Sequence, residues 1–172
     1  MRETANLNGT WTLYFGDDDG QILTTTQEAE AKGYRKIDAQ VPGSVELDLV
    51  RAGLEQDPFL ADHVLDYEKY EYGNWLFERH FTADPSQQGR QVLLHFGGIN
   101  TFANIYLNGK FILETDNMLI PHSVDISEDI HWDAPNILTV FIRSAMNQAR
   151  GMTYTAAARG AEHGDEMTRL RI

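Results

Sequence analysis

Cysteine is absent from this 172-residue chain, which excludes disulfides, thiolate nucleophiles and thiolate zinc sites together. Long apolar runs are missing as well. Stretches such as Val92-Leu93-Leu94 and Phe141-Ile142 fall far short of the ~20 residues that a membrane helix needs. Basic residues are scarce: 14 Lys and Arg stand against 26 Asp and Glu, a net charge of −12. A surface that acidic repels phosphate backbones and anionic lipid headgroups, so neither nucleic acid nor a membrane is expected as a partner. The opening Met1-Arg2-Glu3-Thr4 lacks the apolar segment of a secretory signal. The compartment stays open: cytoplasmic if Met1 is the native start, periplasmic or secreted if a signal has been removed. No G-x-S-x-G elbow, Walker loop or H-E-x-x-H helix occurs, and Gly97-Gly98 is no dinucleotide fingerprint. No cofactor and no metal ligand set is expected.

What the chain does have is alternation with period two. Trp11, Leu13 and Phe15 point one way in the run from Gly9 to Phe15. Ile37, Ala39 and Val41 share a face, as do Val92, Leu94 and Phe96, and Leu138, Val140 and Ile142. Trp75 to Phe81 alternates less cleanly because Arg79 shares the face of Trp75, Phe77 and Phe81. These are half-buried strands. Asn108-Gly109 supplies the positive φ angles of a two-residue hairpin turn. That turn predicts Leu107 opposite Lys110, Tyr106 opposite Phe111 and Ile105 opposite Ile112.

Helix is sparse. Ser44 is placed to cap a short helix near 44–52, with Glu46 and Asp48 at its positive end and Gly53 at its left-handed exit. A weaker helical turn is read at Gln27–Lys32, ended by Gly33. From Met146 the strand period is lost, and 146–172 reads as a loop or partly helical tail, with a further element opening at Thr168–Ile172. The expected fold is therefore all-β, a jelly-roll β-sandwich over residues 1–145 with an irregular C-terminal tail. The immunoglobulin pattern fits less well, since its Cys…Trp…Cys signature is absent.

Polar residues give no self-contained catalytic set. His80 and His95 lie on polar strand faces, His131 in a loop and His163 in the tail; His63 and His122 stand in loops beside other polar and aromatic groups. Asp62, Asp66, Glu68 and Glu71 gather beside Tyr67, Tyr70, Tyr72 and Trp75. Aromatics among acceptors suit a sugar surface, but a solvated acidic loop has the same composition. Asn8-Gly9-Thr10 matches a glycosylation sequon and is read as a turn.

Seven segments in order then resemble one family. They are Leu7-Asn8-Gly9-Thr10-Trp11; Val41 to Leu49; Ala52-Gly53-Leu54 with Asp57-Pro58-Phe59; Trp75 to Phe81; Phe96 to Gly109; Asp116 to His122 with Val124-Asp125-Ile126; and Asn136 to Ala145. Across 7–145 the chain resembles the N-terminal, galactose-binding-like "sugar-binding" domain of glycoside hydrolase family 2, most closely its β-mannosidase branch. The resemblance implies a non-catalytic domain packed on a downstream (β/α)₈ barrel of the same parent chain. That barrel carries the two glutamates of a retaining mechanism, and the carbohydrate substrate belongs to the parent. No catalytic residue is then expected here. The resemblance places Phe59 to Asp62 and Asp116 to His122 toward the barrel, which makes Asp62, His63, Asp116, Asn117, Met118 and His122 the expected rim residues. Where mannosidases carry an aromatic or glycine followed by Asn-Glu, this sequence has Ala61-Asp62-His63. Two other readings stay open: a self-sufficient carbohydrate-binding module, and a sandwich used only for protein contact.

Overall fold

In the computed structural model, which describes residues 3–150, eight strands form two antiparallel sheets. The strands are β1 (Gly9–Asp17), β2 (Arg35–Val41), β3 (Gly73–Phe81), β4 (Leu93–Phe96), β5 (Ala103–Leu107), β6 (Lys110–Thr115), β7 (His122–Asp125) and β8 (Asn136–Ile142). The larger sheet runs β2-β1-β3-β8-β5-β6, and β4 and β7 make the smaller one. After β3 the chain crosses repeatedly between the two sheets, so the fold is a sandwich. His163 and the element read at Thr168–Ile172 lie outside the described residues.

The core between the sheets is the alternation made physical. Trp11, Ile105, Leu107, Leu138 and Val140 from the large sheet meet Leu94 of β4 and Ile126, Ile99 and Ile130 from the loops. The small sheet is too short to cover the whole inner face. Beyond it, Phe15 and Trp75, stacked with ring centroids 5.3 Å apart, are covered by helix α2 (Val45–Arg51) and by a 3₁₀ segment, His63–Tyr70. The opposite face of the large sheet is apolar too, where Tyr14, Leu76 and Phe141 pack under Leu23 and helix α1 (Thr26–Ala31). A third helix, α3 (Ala145–Arg150), follows β8.

Both α1 and α2 end as the glycines predict. Gly33 and Gly53 take φ of +74° and +69°. Tyr34 N–H donates to Ala29 O and Leu54 N–H to Leu49 O, each 3.0 Å, closing six-to-one caps. α1, the weaker expectation, carries a complete capping box between Thr25 and Glu28. Ser44 departs from expectation. Its backbone is extended as an N-cap should be, but its side chain makes no capping bond.

Three further expectations are corrected. Leu107 faces Lys110 and Tyr106 faces Phe111, yet Ile105 faces Leu113 because a bulge falls between Ile105 and Tyr106. β4 starts at Leu93, since Val92 N–H bonds Ser127 Oγ (2.8 Å) instead of a ladder partner. The acidic loop at 62–71 keeps Asp62, Asp66 and Glu68 exposed as expected, but its backbone is largely the 3₁₀ segment, anchored by Tyr67, whose hydroxyl donates to Gln56 O at 2.7 Å.

Candidate functional site

Strand pairing defines two ends of the large sheet. At one, β1, β6 and β8 finish while β2, β3 and β5 begin: Phe15 faces Trp75, Trp75 faces Ile142, Ile142 faces Ala103 and Ala103 faces Thr115. The loops of this near end carry every rim residue expected from the sequence.

Asp116, Asn117, Met118 and His122 are brought together in the turn that leaves β6. Asn117 Oδ1 accepts from Leu119 N (2.9 Å), and the Asn117 carbonyl lies 3.4 Å from His122 Nε2. The turn sits on Gly98. A β-carbon there would stand 2.9 Å from the Met118 carbonyl oxygen, so only glycine lets the two loops meet. Asp62 and His63 lie apart from this group, at the start of the 3₁₀ segment, where His63 Nδ1 is 3.1 Å from Asp57 O. Among the described residues no hydrogen bond or ion pair joins the two groups.

Asp116 also lines a cleft of about 430 Å³ with Phe102, Glu114, Thr115, Arg143 and Gln148. Arg143 Nη2 donates to Glu114 Oε1 at 2.7 Å, across Asn104 on the strand between them. Arg143 Nε and Asn104 Oδ1 are buried without a hydrogen-bond partner. Sequence reasoning missed Arg143 and Glu114. Glu114 lies on β6 and Arg143 just after β8, and only the β8-β5-β6 order makes them neighbours.

A second missed feature fixes where the chain leaves the sheet. Asn74, 1% exposed, donates to Asp18 Oδ1 (2.9 Å) and accepts from Ser144 N (2.9 Å). Ser144 Oγ donates to Glu71 O (2.7 Å), and Asn147 Nδ2 donates to Asp18 Oδ2 (2.7 Å). Burial works against the Asp18 charge, but the bonds from Asn147, Asn74 and Gly20 together outweigh it and hold the carboxyl below its usual range. Nearby, Tyr70 donates to Glu55 at 2.5 Å; burial first and that bond second push the phenol up to about 12.

Among the described residues no nucleophile, base and carboxylate are joined in that order in one hydrogen-bonded set. The Ser–His contact, Ser123 Oγ to His95 Nδ1 at 2.8 Å, is exposed on the small sheet, and among the described residues no carboxylate bonds the imidazole. Among the described residues no cluster of three or more His, Asp or Glu is placed to hold a metal ion, and no helix is long and apolar enough to cross a membrane.

The loops of this end are also where apolar side chains meet solvent. Of the eleven exposed large hydrophobics among the described residues, eight lie there, led by Leu119 at 83% and Phe59 at 82% exposed. Leu60, Val64, Leu65 and Ile120 accompany them, and the other three, Leu93, Phe111 and Ile137, sit within strands.

Comparison with known proteins follows the same lines. A family model described as glycosyl hydrolase 2 galactose-binding domain-like matches residues 23–171. Beta-mannosidase B of Aspergillus terreus is 34% identical over 131 residues, covering 76% of this chain and 15% of its own length. The β-D-mannosidase structure from Dictyoglomus thermophilum superposes with a TM-score of 0.68 at 31% identity, over 86% of this chain and 17% of that one. A β-glucuronidase from Ruminococcus gnavus shares the fold at 22% identity, with a TM-score of 0.58 over 80% of this chain and 21% of its own. The chain thus spans less than a quarter of the length of each.

Proposed function

Because the chain belongs to the galactose-binding-like domain family of glycosyl hydrolase 2, we propose that it is the non-catalytic sandwich of a larger retaining β-mannosidase. Its near end packs against the downstream catalytic barrel. The domain proper is residues 1–145, and 146–172 leads toward the barrel. Asp62, His63, Asp116, Asn117, Met118 and His122 contribute to the rim of a pocket whose two catalytic glutamates lie elsewhere in the parent.

One observation carries this reading: eight of the eleven exposed large hydrophobics among the described residues lie in the loops of a single end. Exposed apolar residues scattered singly are ordinary on a self-contained domain, whereas several together on neighbouring positions favour a partner surface. Here Phe59, Leu60, Val64 and Leu65 stand on one segment and Leu119 and Ile120 on another, matching a broad apolar partner better than a sugar ring. The exit network serves the same purpose. Asp18, Asn74 and Ser144 hold the start of α3 at this end.

The test is a chimera in which this chain replaces the equivalent domain of the Dictyoglomus thermophilum β-D-mannosidase. The chimera is expected to hydrolyse p-nitrophenyl β-mannoside while the 172-residue chain alone hydrolyses no p-nitrophenyl glycoside. Turnover by the isolated chain, or a folded chimera without activity, would contradict the proposal.

A further inference from the structure

The chain contains two Asn-Gly pairs, both at the end of the large sheet opposite the contact loops, and the structure treats them differently. Asn108 is tied down on every side. Its Nδ2 donates to Asp129 O and to Asn136 Oδ1, its Oδ1 accepts from Ile137 N, all at 2.9 Å, and its own N–H donates to Ile137 O at 2.8 Å. Asn8, which precedes β1, is exposed, and among the described residues its side-chain amide has no partner. The next residue, Gly9, has φ of +122° and open space where a β-carbon would stand.

We propose that Asn8 is a site of spontaneous covalent modification of this protein, through a succinimide formed with Gly9. The Gly9 amide nitrogen gives its proton to solvent and attacks Asn8 Cγ. A nitrogen–carbon bond forms, the bond from Cγ to Nδ2 breaks, and Nδ2 leaves as ammonia with protons drawn from water. Water then opens the five-membered imide at either carbonyl. Opening at the side-chain carbonyl leaves an ordinary aspartyl residue at position 8. Opening at the main-chain carbonyl leaves an isoaspartyl linkage. Water is the sole co-reactant. The reaction needs a side chain free to swing onto the following nitrogen and a following residue with no side chain to block it. Asn8 meets both conditions, whereas Asn108 fails the first.

The position gives the modification a structural consequence. Trp11 Nε1 donates to Leu7 O at 2.9 Å, closing the stretch from 7 to 11 and seating the indole, 6% exposed, in the core between the sheets. An isoaspartyl linkage at position 8 adds a methylene to the main chain inside that stretch, and either product adds a negative charge.

The test is peptide mapping by mass spectrometry after the folded 172-residue protein has stood for days in mildly alkaline buffer. The peptide holding Asn8 is expected to gain about one dalton and to separate into aspartyl and isoaspartyl forms. Its rate should exceed that of the Asn108 peptide by about ten-fold or more, the signature of hydrogen bonds restraining one side chain alone. In urea, where those bonds are gone, the two rates should converge, and Asn8→Ser should abolish the gain at its peptide. An Asn8 that stays unmodified, or equal rates at both sites in the folded protein, would overturn the proposal.

Discussion

The two ends of the six-stranded sheet are built by opposite rules. At the far end the turns close on themselves through buried amides: Asn136, fully buried, accepts from Asn108 Nδ2 (2.9 Å) and His131 N (2.7 Å) and donates to His131 O (2.8 Å). Lys110 and Asp129 add an ion pair at 2.6 Å, and none of the exposed large hydrophobics lies in the loops of that end. The near end also has a buried amide, Asn74, but around it the loops carry Phe59, Leu119 and their neighbours into solvent. Buried amides hold both ends, but among the described residues only the near end carries exposed large apolar side chains in its loops, a difference that mutations can expose.

The largest effect on stability is expected from Asn136→Ala. It leaves the Asn108 amide and both His131 backbone groups short of partners in a buried site, a loss of about 3 kcal/mol, read from urea or thermal melts. Asn74→Ala comes next at about 2 kcal/mol, and it separates the chain exit from the sheet. Amide hydrogen exchange should speed up over 144–150 more than over β5 and β6, whereas uniform acceleration would deny the network its clamping role.

Acid should weaken the near end. Asp18 and Glu55 both titrate below their usual range. In each, burial opposes the charge and is outweighed, by Asn147 and Asn74 at Asp18 and by Lys69 and Tyr70 at Glu55. A depressed carboxyl gives its full stability above the pKa it has in the unfolded chain, and loses it as pH falls through the lower folded value. The urea midpoint should thus fall from pH 5 toward pH 3, and fall less in Asp18→Asn. Tyr70 works at the other extreme. Its pKa, pushed up to about 12, gives stability that is complete below about 10 and is lost as pH rises through the folded value.

The smallest stability effect belongs to Phe59→Asp and Leu119→Asp, within about 0.5 kcal/mol, because neither side chain is buried. Titration calorimetry of the isolated chain with mannose or manno-oligosaccharides is expected to show no heat. A clear isotherm would instead favour a self-sufficient carbohydrate-binding module.

The strands were legible because burial on one face imposes a period of two, and Asn108-Gly109 marks its hairpin without outside help. The helix ends were legible at Gly33 and Gly53, where a positive φ is needed. Other features depend on what comes from far away in the chain. The bulge that moves Ile105 opposite Leu113 leaves no local mark. Tyr14, Leu76 and Phe141 point away from the core between the sheets, and they are buried because α1 and Leu23 cover them. The 3₁₀ segment reads as a charged loop until Tyr67 is seen to anchor it. At the near end the expected rim residues are grouped by their own loops. The Arg143–Glu114 pair, 29 residues apart, and the Asp18–Asn74 bond, 56 apart, exist only through sheet order.

The central claim, that the near end is the docking face, is tested most directly by placing matched charges at the two ends of the mannosidase chimera. Phe59→Asp with Leu119→Asp should lower its hydrolysis of p-nitrophenyl β-mannoside by about ten-fold or more, the order expected when charges are buried unpaired at an interface. Asp substitutions at exposed far-end positions such as Gln88 and Arg90 should leave it unchanged. Equal activity of the near-end and far-end variants, with both chimeras folded, would contradict the account.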